Sequence, residues 1–281
     1  MEGIIVGVDE SPCARAALRW AADHGAGTGQ PVTAVMAWGY IDQRHLAPEA
    51  PFDPQYSSTV AAEVLDDLVQ RALGDDHTVA RVAVCDRPAP GLLSVAGADA
   101  AMIVVGARGM GGFRALLLGS VSRQVLHRAP CAVAVVRDDA TRLDGPIVVG
   151  VDGSEPSHRA LRWAVEVART RRVPLVALYA WHPPDVVATF PVAWPTPEEL
   201  SADAERFLRT QLARVDTSIL TEPVECRPVS DRPAAALVAA SSLASLVVVG
   251  SRGHGQLTGT LLGSVSEQVA HHATSPVVVV P

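Results

Sequence analysis

Short apolar runs alternate with longer mixed segments along the chain, and this alternation predicts the secondary structure. Residues 4–8 and 102–105 are apolar at nearly every position, which is typical of strands that are buried on both faces of a parallel sheet. Ser11 followed by Pro12 marks a helix start, with a capping residue before a first-turn proline, and Ser154 repeats the cap. Strands that alternate with helices predict a doubly wound α/β fold.

The first half is predicted to contain five strands and four helices. The strands are expected at 3–8, 31–38, 78–85, 101–106 and 132–136, and the helices at about 12–25, 57–73, 89–98 and 120–128. In open parallel sheets, ligands bind beyond the carboxyl ends of the strands, where the strand order reverses. If strands one and four flank that point, the segments that follow them form one crevice.

The second half repeats the first as a whole domain. Residues 4–9 match 147–152, and further matches continue along both halves with a period of about 144 residues, which is far longer than that of solenoid repeats. The duplication predicts two globular domains, 1–138 and 145–281, separated by a polar stretch. Each could fold alone, because a domain of about 140 residues buries roughly 70% of its unfolded surface.

A glycine loop after the fourth strand of each half is the most specific repeated feature. Both copies have the pattern G-x2-G-x9-G-S, at 106–120 and at 250–264, and both continue into a helical pattern. A strand that leads through a glycine loop into a helix N-terminus presents unpaired N–H groups, and these suit a phosphate chain. The loops therefore predict a phosphate-binding site in each half.

The chain resembles a tandem member of the universal stress protein family, with two domain copies that cover nearly all of its length. The resemblance rests on the two glycine loops together with the aspartates that follow strand one, Asp9 and Asp152. Family members that keep this loop bind ATP, so the resemblance implies one adenine nucleotide in each domain. It also implies that each domain is a Rossmann-like five-stranded parallel sheet in the order 3-2-1-4-5.

The loops, the strand ends and the resemblance define candidate nucleotide-binding residues in each domain. In the first domain these are Gly7, Asp9, Ala37, Gly106, Arg108, Gly109, Gly119, Ser120, Val121 and Ser122. In the second they are Gly150, Asp152, Ala180, Gly250, Arg252, Gly253, Gly263, Ser264, Val265 and Ser266. The resemblance places an adenine contact at Ala37 and Ala180, where a small side chain also leaves room for the ring.

Most of these candidates also have a purely structural interpretation. Gly106 could allow close approach of a ligand or a sharp turn, and Gly7 suggests close approach to the backbone. Asp9 could accept a hydrogen bond from a ribose hydroxyl or the adenine amine, or it could support the turn before the helix. The loop serines, such as Ser122, could cap the helix or contact phosphate. Arg108 could meet the phosphate charge or hold carbonyls of its own loop.

The composition narrows the chemistry. All 23 positive charges are arginines, so the chain has no P-loop lysine, and phosphate must be met by arginine, backbone N–H groups, a helix dipole or a metal. The net charge of −7 argues against a nucleic-acid partner. No apolar run approaches the roughly 18 residues of a membrane span. The four cysteines show no zinc or disulfide spacing, and a cytoplasmic protein without a membrane partner is expected.

Two classes of function remain open. The first is a nucleotide-dependent stress-response or regulatory protein that binds ATP, with Mg, in each domain, as the resemblance implies. The second is a slow ATP hydrolase or phosphotransferase, which would need a positioned base or water-orienting residue and a metal clamp. The loops contain no repeated carboxylate, so no catalytic or metal-ligating residue is predicted, although His254 or Gln256 could orient water in the second copy.

The sequence also raises expectations about assembly. The short apolar strands at 133–136 and 277–280 lie at the sheet edge, and an apolar edge invites pairing with another strand. We expect the two halves to pair through these strands into a pseudo-twofold unit, as the resemblance also implies, and we expect a homodimer beyond that. Proline-rich loops around 39–56 and 182–197 are candidate surfaces for protein partners or lids.

Overall fold

The chain divides into two units, Met1–Thr141 and Arg142–Pro281, and strands alternate with helices in both. The structure is a computed structural model that describes residues 3–39, 58–75, 77–110, 118–138, 145–182, 196–253 and 262–281. Residues His254 and Gln256 lie outside the described residues, as do most of the proline-rich loops around 39–56 and 182–197.

Within the described residues, each unit contains five strands and four helices. In the first unit they are β1 (Gly3–Gly7), α1 (Pro12–Thr28), β2 (Val32–Trp38), α2 (Ser58–Leu73), β3 (Ala80–Cys85), α3 (Pro88–Ala96), β4 (Ala100–Gly106), α4 (Ser120–Arg128) and β5 (Ala132–Val136). In the second they are β6 (Ile147–Gly150), α5 (Glu155–Arg171), β7 (Leu175–Trp181), α6 (Pro197–Leu212), β8 (Glu225–Ser230), α7 (Pro233–Ser241), β9 (Leu246–Gly250), α8 (Ser264–His272) and β10 (Val277–Val280).

All strand pairs within each unit are parallel, and their order is the one expected. In the first unit β1 pairs with β2 and β4, while β3 adds to β2 and β5 adds to β4, so the order is 3-2-1-4-5. In the second unit β6 pairs with β7 and β9, while β8 adds to β7 and β10 adds to β9. The predicted doubly wound α/β fold is confirmed, with the order reversing beside β1 and β6.

The core explains why the central strands read as continuous apolar runs. Ile4, Ile5 and Ile103 have no exposed surface, because helices pack on both faces of the sheet. In the first unit α1 packs against α2, and α3 packs against α4, so one helix pair covers each face. Among the described helices, none has both the length and the apolar character that a membrane crossing needs.

The predicted helix caps are confirmed in both units. Ser11 Oγ accepts a hydrogen bond from Ala14 N–H (3.1 Å) at the start of α1. Ser154 Oγ accepts from Ser157 N–H (3.3 Å) at the start of α5. A side-chain acceptor at this position satisfies one of the N–H groups that have no intrahelical partner. The caps fix the direction in which the chain leaves the first strand of each unit.

Candidate functional site

The loop that follows the first strand is tied to the glycine loop in both units. In the first unit, Asp9 Oδ1 accepts from Ser11 N–H (3.0 Å) and Asp9 Oδ2 accepts from Met110 N–H (3.3 Å). The Ser11 hydroxyl then donates to Arg108 O (3.1 Å). Asp9 therefore has the turn-supporting role that its sequence position allowed, and it also contacts the glycine loop.

The second unit repeats two of these three hydrogen bonds. Asp152 Oδ1 accepts from Ser154 N–H (2.9 Å), and the Ser154 hydroxyl donates to Arg252 O (3.3 Å). The same polar atoms thus link strand one to the loop after strand four in both domains. The structure brings the two predicted loops together at the point where the strand order reverses, which is the usual place for a ligand in this type of sheet.

Gly109 and Gly253 allow this close approach. A Cβ atom on Gly109 would lie 2.6 Å from Asp9 Oδ2, and a Cβ atom on Gly253 would collide with Asp152 Oδ2 in the same way. A residue with a side chain would have to displace the carboxylate. These two glycines are therefore required by contacts within the protein, whatever ligand the loop holds.

Gly106 and Gly250 have a role that the sequence reasoning did not weigh. A Cβ atom on Gly106 would lie 2.7 Å from the Cys13 carbonyl carbon and 2.8 Å from Ala14 N, in the first turn of α1. At Gly250 the corresponding atoms belong to the first turn of α5. This contact accounts for each glycine without a ligand or a sharp turn, because each lets the end of a strand pack against helix backbone.

Gly7 and Gly150 pack against side chains. A Cβ atom on Gly7 would come within 3.1 Å of Leu92 Cδ2 from α3, and one on Gly150 would come equally close to Leu237 Cδ1 from α7. The close approach expected at these positions is therefore made by leucine side chains. A ligand is not needed to account for either glycine.

Glycine also begins the helix that follows each loop. Gly119 is the N-cap of α4 and Gly263 is the N-cap of α8, and neither helix has a side-chain cap. The interpretation of the loop serines as helix caps is therefore wrong. Gly119 N–H donates to Ala107 O (2.7 Å), and Gly263 N–H donates to Ser251 O (2.7 Å), so each loop closes on itself before its helix starts.

The two serines in each helix start have different surroundings. Ser122 is buried, and its hydroxyl donates to Gly106 O (2.7 Å), while Ser266 donates to Gly250 O (2.6 Å) in the same way. These hydroxyls tie the helix to the end of the preceding strand. Ser120 and Ser264 are exposed.

The first-turn backbone of α4 presents hydrogen-bond donors. The N–H groups of Ser120, Val121 and Ser122 precede the first intrahelical bond, which runs from Arg123 N–H to Gly119 O (3.1 Å). The described residues supply no acceptor for these three groups, and the helix itself cannot supply one. The helix dipole adds a partial positive charge at the same place. An anion is the natural partner for such a terminus.

A cavity of about 510 Å³ lies at this position in the second unit. It is lined by every residue predicted for that domain: Gly150, Asp152, Ala180, Gly250, Arg252, Gly253, Gly263, Ser264, Val265 and Ser266. Its apolar lining includes Leu178, Pro233, Leu237 and Val249. The glycine loop and the start of α8 supply its polar groups. In the first unit Ala37 is half-buried in β2 beside Val84.

Sequence reasoning missed several residues of this lining. Ser157 lines the cavity, and its hydroxyl accepts from Gly153 N–H (3.2 Å). Tyr179 also lines it and packs against Phe207, with ring centroids 4.5 Å apart. Glu267 completes the polar side. The first half has different residue types at the positions that match Ser157, Tyr179 and Glu267. A search for residues that are repeated in both halves could therefore not identify these three.

The loop arginines of the two units are not equivalent. Arg108 Nη2 lies 3.5 Å from Asp138 Oδ1, and Cys13 Sγ donates to the same oxygen at 3.7 Å. The Cys13 side chain and, after it, the Asp138 carboxylate raise the pKa of Arg108. The sequence suggested that Arg108 contacts phosphate or carbonyls of its own loop. Neither interpretation included the ion pair with Asp138, which follows β5. In the second unit Arg252 lines the cavity.

Comparison with known proteins agrees with this architecture. A sequence model of the universal stress protein family matches residues 1–137 and 145–281. A universal stress protein of Mycobacterium tuberculosis is 37% identical over 289 residues, which cover 99% of this chain and 95% of that protein. A relative from Mycolicibacterium smegmatis is 36% identical with similar coverage. The chain therefore belongs to the universal stress protein family, with two domains of that type.

Solved structures agree on the fold. A universal stress protein from Archaeoglobus fulgidus superposes with a TM-score of 0.67 at 22% identity, covering 99% of this chain and 95% of that one. A protein from Pseudomonas aeruginosa, described as a putative universal stress protein, gives a TM-score of 0.65 at 19% identity. At these identities the likeness concerns the fold.

Proposed function

We propose that each domain, 1–138 and 145–281, binds one adenine nucleotide, ATP with Mg²⁺, and that the protein acts as a nucleotide-dependent stress-response or regulatory protein in the cytoplasm. The observation that carries this proposal is the cavity of the second unit, whose lining combines apolar side chains with a glycine loop and a helix N-terminus. Nucleotide sites combine these two chemistries, since the base is largely apolar and the phosphates are anionic.

The phosphates bind at the helix start. Backbone N–H groups of Ser264, Val265 and Ser266 point along the axis of α8, and Arg252 lines the same side of the cavity. In a chain without lysine, these groups provide the positive potential that a P-loop lysine provides elsewhere. In the first domain, Ser120, Val121 and Ser122 provide the equivalent donors.

The base and ribose occupy the rest of the cavity. The adenine ring lies against Ala180 and the leucines of β7 and α7, and Asp152 accepts a hydrogen bond from the ribose or the base. The cavity volume of about 510 Å³ lies within the range of roughly 300–1,000 Å³ that holds ligands of this size. Asp9 and Ala37 take these roles in the first domain.

The residues present fit a magnesium ion that comes with the nucleotide. Within the described residues, no three His, Cys, Asp or Glu side chains form a metal-binding group. Mg²⁺ in nucleotide sites is held by one or two carboxylates together with phosphate oxygens and water. Glu267, which lines the cavity at the start of α8, can supply that small share of the ligands.

The nucleotide that accompanies the purified protein tests this proposal. Protein prepared without added ligand is denatured, and the released nucleotides are separated by ion-exchange chromatography. Released ATP would support a binding protein. Released ADP would favour the alternative of a slow hydrolase, and a release of ADP and phosphate that follows added ATP would establish it. If no nucleotide is released and none binds in calorimetry, the proposed function is wrong.

A further inference from the structure

The helices that begin at the two glycine loops differ by a reversal of charge. Both start with Ser-Val-Ser, and the next residue is Arg123 in α4 but Glu267 in α8. The two residues occupy the same turn, because Arg123 N–H bonds to Gly119 O (3.1 Å) and Glu267 N–H bonds to Gly263 O (2.9 Å). The difference thus lies in the side chains, at one backbone position of an otherwise repeated site.

Glu267 lies at the polar end of the cavity. It is half-buried and lines the cavity beside Ser264 and Ser266. An acidic residue in a first helical turn commonly stabilises the helix dipole, and that role suffices for an exposed glutamate. At this terminus, however, the carboxylate and a phosphate chain would compete for the same positive potential, and their like charges would repel.

The loop arginines near these two positions also differ between the units. In the first unit Arg108 is paired with Asp138, and Arg123 adds an exposed positive charge near the start of α4. In the second unit Arg252 and Glu267 have opposite charges and both line the cavity. The strand-end aspartate is common to both units. At this one position of the helix start, a polyphosphate therefore meets a negative side chain in the second unit and a positive one in the first.

We propose that the two sites differ in their need for a divalent cation: the second site binds ATP only as its magnesium complex, because Glu267 contacts the cation directly or through water, whereas the first site also binds free ATP. This inference rests on the proposed function. A carboxylate, phosphate oxygens and water form the ligand set that Mg²⁺ prefers. Arg123 makes such a cation unnecessary, since it can neutralise phosphate charge itself.

Titration of single-site proteins tests the inference. The full chain with Gly263→Glu retains the first site, and the full chain with Gly119→Glu retains the second. Each is titrated with ATP by calorimetry in excess Mg²⁺ and in EDTA. In EDTA we expect the second site to lose at least about tenfold in affinity, which corresponds to about 1.4 kcal/mol. The first site should change by less than about threefold, or about 0.65 kcal/mol.

Charge exchange then assigns the effect to one position. In the second-site protein, Glu267→Arg should remove the magnesium requirement, and in the first-site protein, Arg123→Glu should introduce it. Gln268→Arg and Gln124→Glu are matched controls, because each places the same charge on an exposed residue of the same helix about 100° further around its axis. The controls should leave the magnesium dependence of their sites unchanged.

The outcomes separate the two proposals. If neither single-site protein binds ATP under any condition, the proposed function is wrong. If both bind with the same magnesium dependence, or the exchanges at 123 and 267 have no more effect than the controls, the inference is wrong while the proposed function stands. Glu267→Gln, which keeps the shape of the side chain, replaces Glu267→Arg if circular dichroism shows that the arginine variant does not fold.

Discussion

The glycines of the repeated loop have different structural roles, although they belong to one sequence pattern. Gly106 packs against the backbone of α1, whereas a Cβ atom on Gly119 would have Ala107 O as its nearest neighbour, at 3.4 Å. At Gly106 the protein leaves no room for a side chain, whereas at Gly119 the folded chain can accommodate one. Stability and ligand binding can therefore be separated by single substitutions.

Gly106→Ala should destabilise the first domain. The added Cβ atom would lie less than 3 Å from the backbone of Cys13 and Ala14. Because helix backbone cannot move aside as the end of a flexible side chain can, we expect the free energy of unfolding to fall by about 1–3 kcal/mol. Gly119→Ala is the matched control and should cost less than about 1 kcal/mol, because alanine there is only a poorer N-cap. Urea denaturation measures both, and equal stabilities would contradict the packing role of Gly106.

Gly119→Glu should remove the first nucleotide site without unfolding the domain. A side chain with negative charge at the N-cap of α4 would occupy the space of the phosphates. The loss of two or three charge-assisted hydrogen bonds, at roughly 1.5 kcal/mol each, implies at least about a hundredfold weaker binding. Gly263→Glu should do the same in the second domain. If the double variant binds ATP as tightly as the parent in calorimetry, the phosphate assignment fails.

The sequence predicted many of the residues at the candidate site. Their contacts within the protein depend on tertiary packing and were not predicted. The repeated glycine loops, the repeated strand ends and the family resemblance together predicted ten of the residues that line the second-unit cavity. The partners of Gly106 and Arg108 were not predictable in the same way. Cys13 and Asp138 are distant in sequence, and only the packing of α1 and the end of β5 beside the loop brings them there.

At the scale of the elements, the alternation of apolar and polar segments predicted all the described strands and helices of the first unit, with small errors at their ends. The clearest error is α1, which continues to Thr28 beyond its predicted end near residue 25. Gly25 suggests a helix end, yet a Cβ atom there would lie 2.5 Å from Val32 Cγ2. This glycine is inside the helix because the start of β2 packs closely against it, and tertiary packing overrides helix propensity.

The caps of α5 and α6 allow an element-scale test of how the fold supports the site. Ser154 caps α5 and also donates to Arg252 O in the glycine loop. Thr196 caps α6 in a reciprocal arrangement with Glu199, and α6 contributes nothing to the cavity lining among the described residues. Ser154→Ala and Thr196→Ala should each cost about 1 kcal/mol of stability.

Only Ser154→Ala should also weaken ATP binding at the second site, by a few fold, because Arg252 and its loop lose a fixed attachment. Denaturation and calorimetry on the same protein preparations measure the two effects. If both variants reduce affinity equally, the coupling between the cap and the loop is a general effect of stability. If neither does, the hydrogen bond between Gly263 N–H and Ser251 O holds the loop well enough.

At the scale of the whole molecule, the duplication turns one site into two that need not be equivalent. The pairing of the two halves through their last strands stays a prediction. Val278→Lys together with Val280→Lys places charge on the edge strand and should loosen such a pairing. Analytical ultracentrifugation and thermal melting measure the effect, and an unchanged size and melting temperature would count against the pairing.

The expected homodimer is tested by the same sedimentation runs on the parent protein.

Two sites per chain make a quantitative prediction for the parent protein. Calorimetric titration of nucleotide-free protein with ATP in excess Mg²⁺ should give close to two nucleotides per chain, because each domain retains the full loop and the strand-end aspartate. At an ATP concentration of about 100 times the Kd, each domain should gain about 2.7 kcal/mol of stability, provided that ATP binds only the folded state. With Gly263→Glu, only the first domain should gain it, and limited proteolysis with ATP should then protect fragments of the first domain alone. A stoichiometry of one in the parent would mean that the repeated pattern is insufficient for binding in one domain.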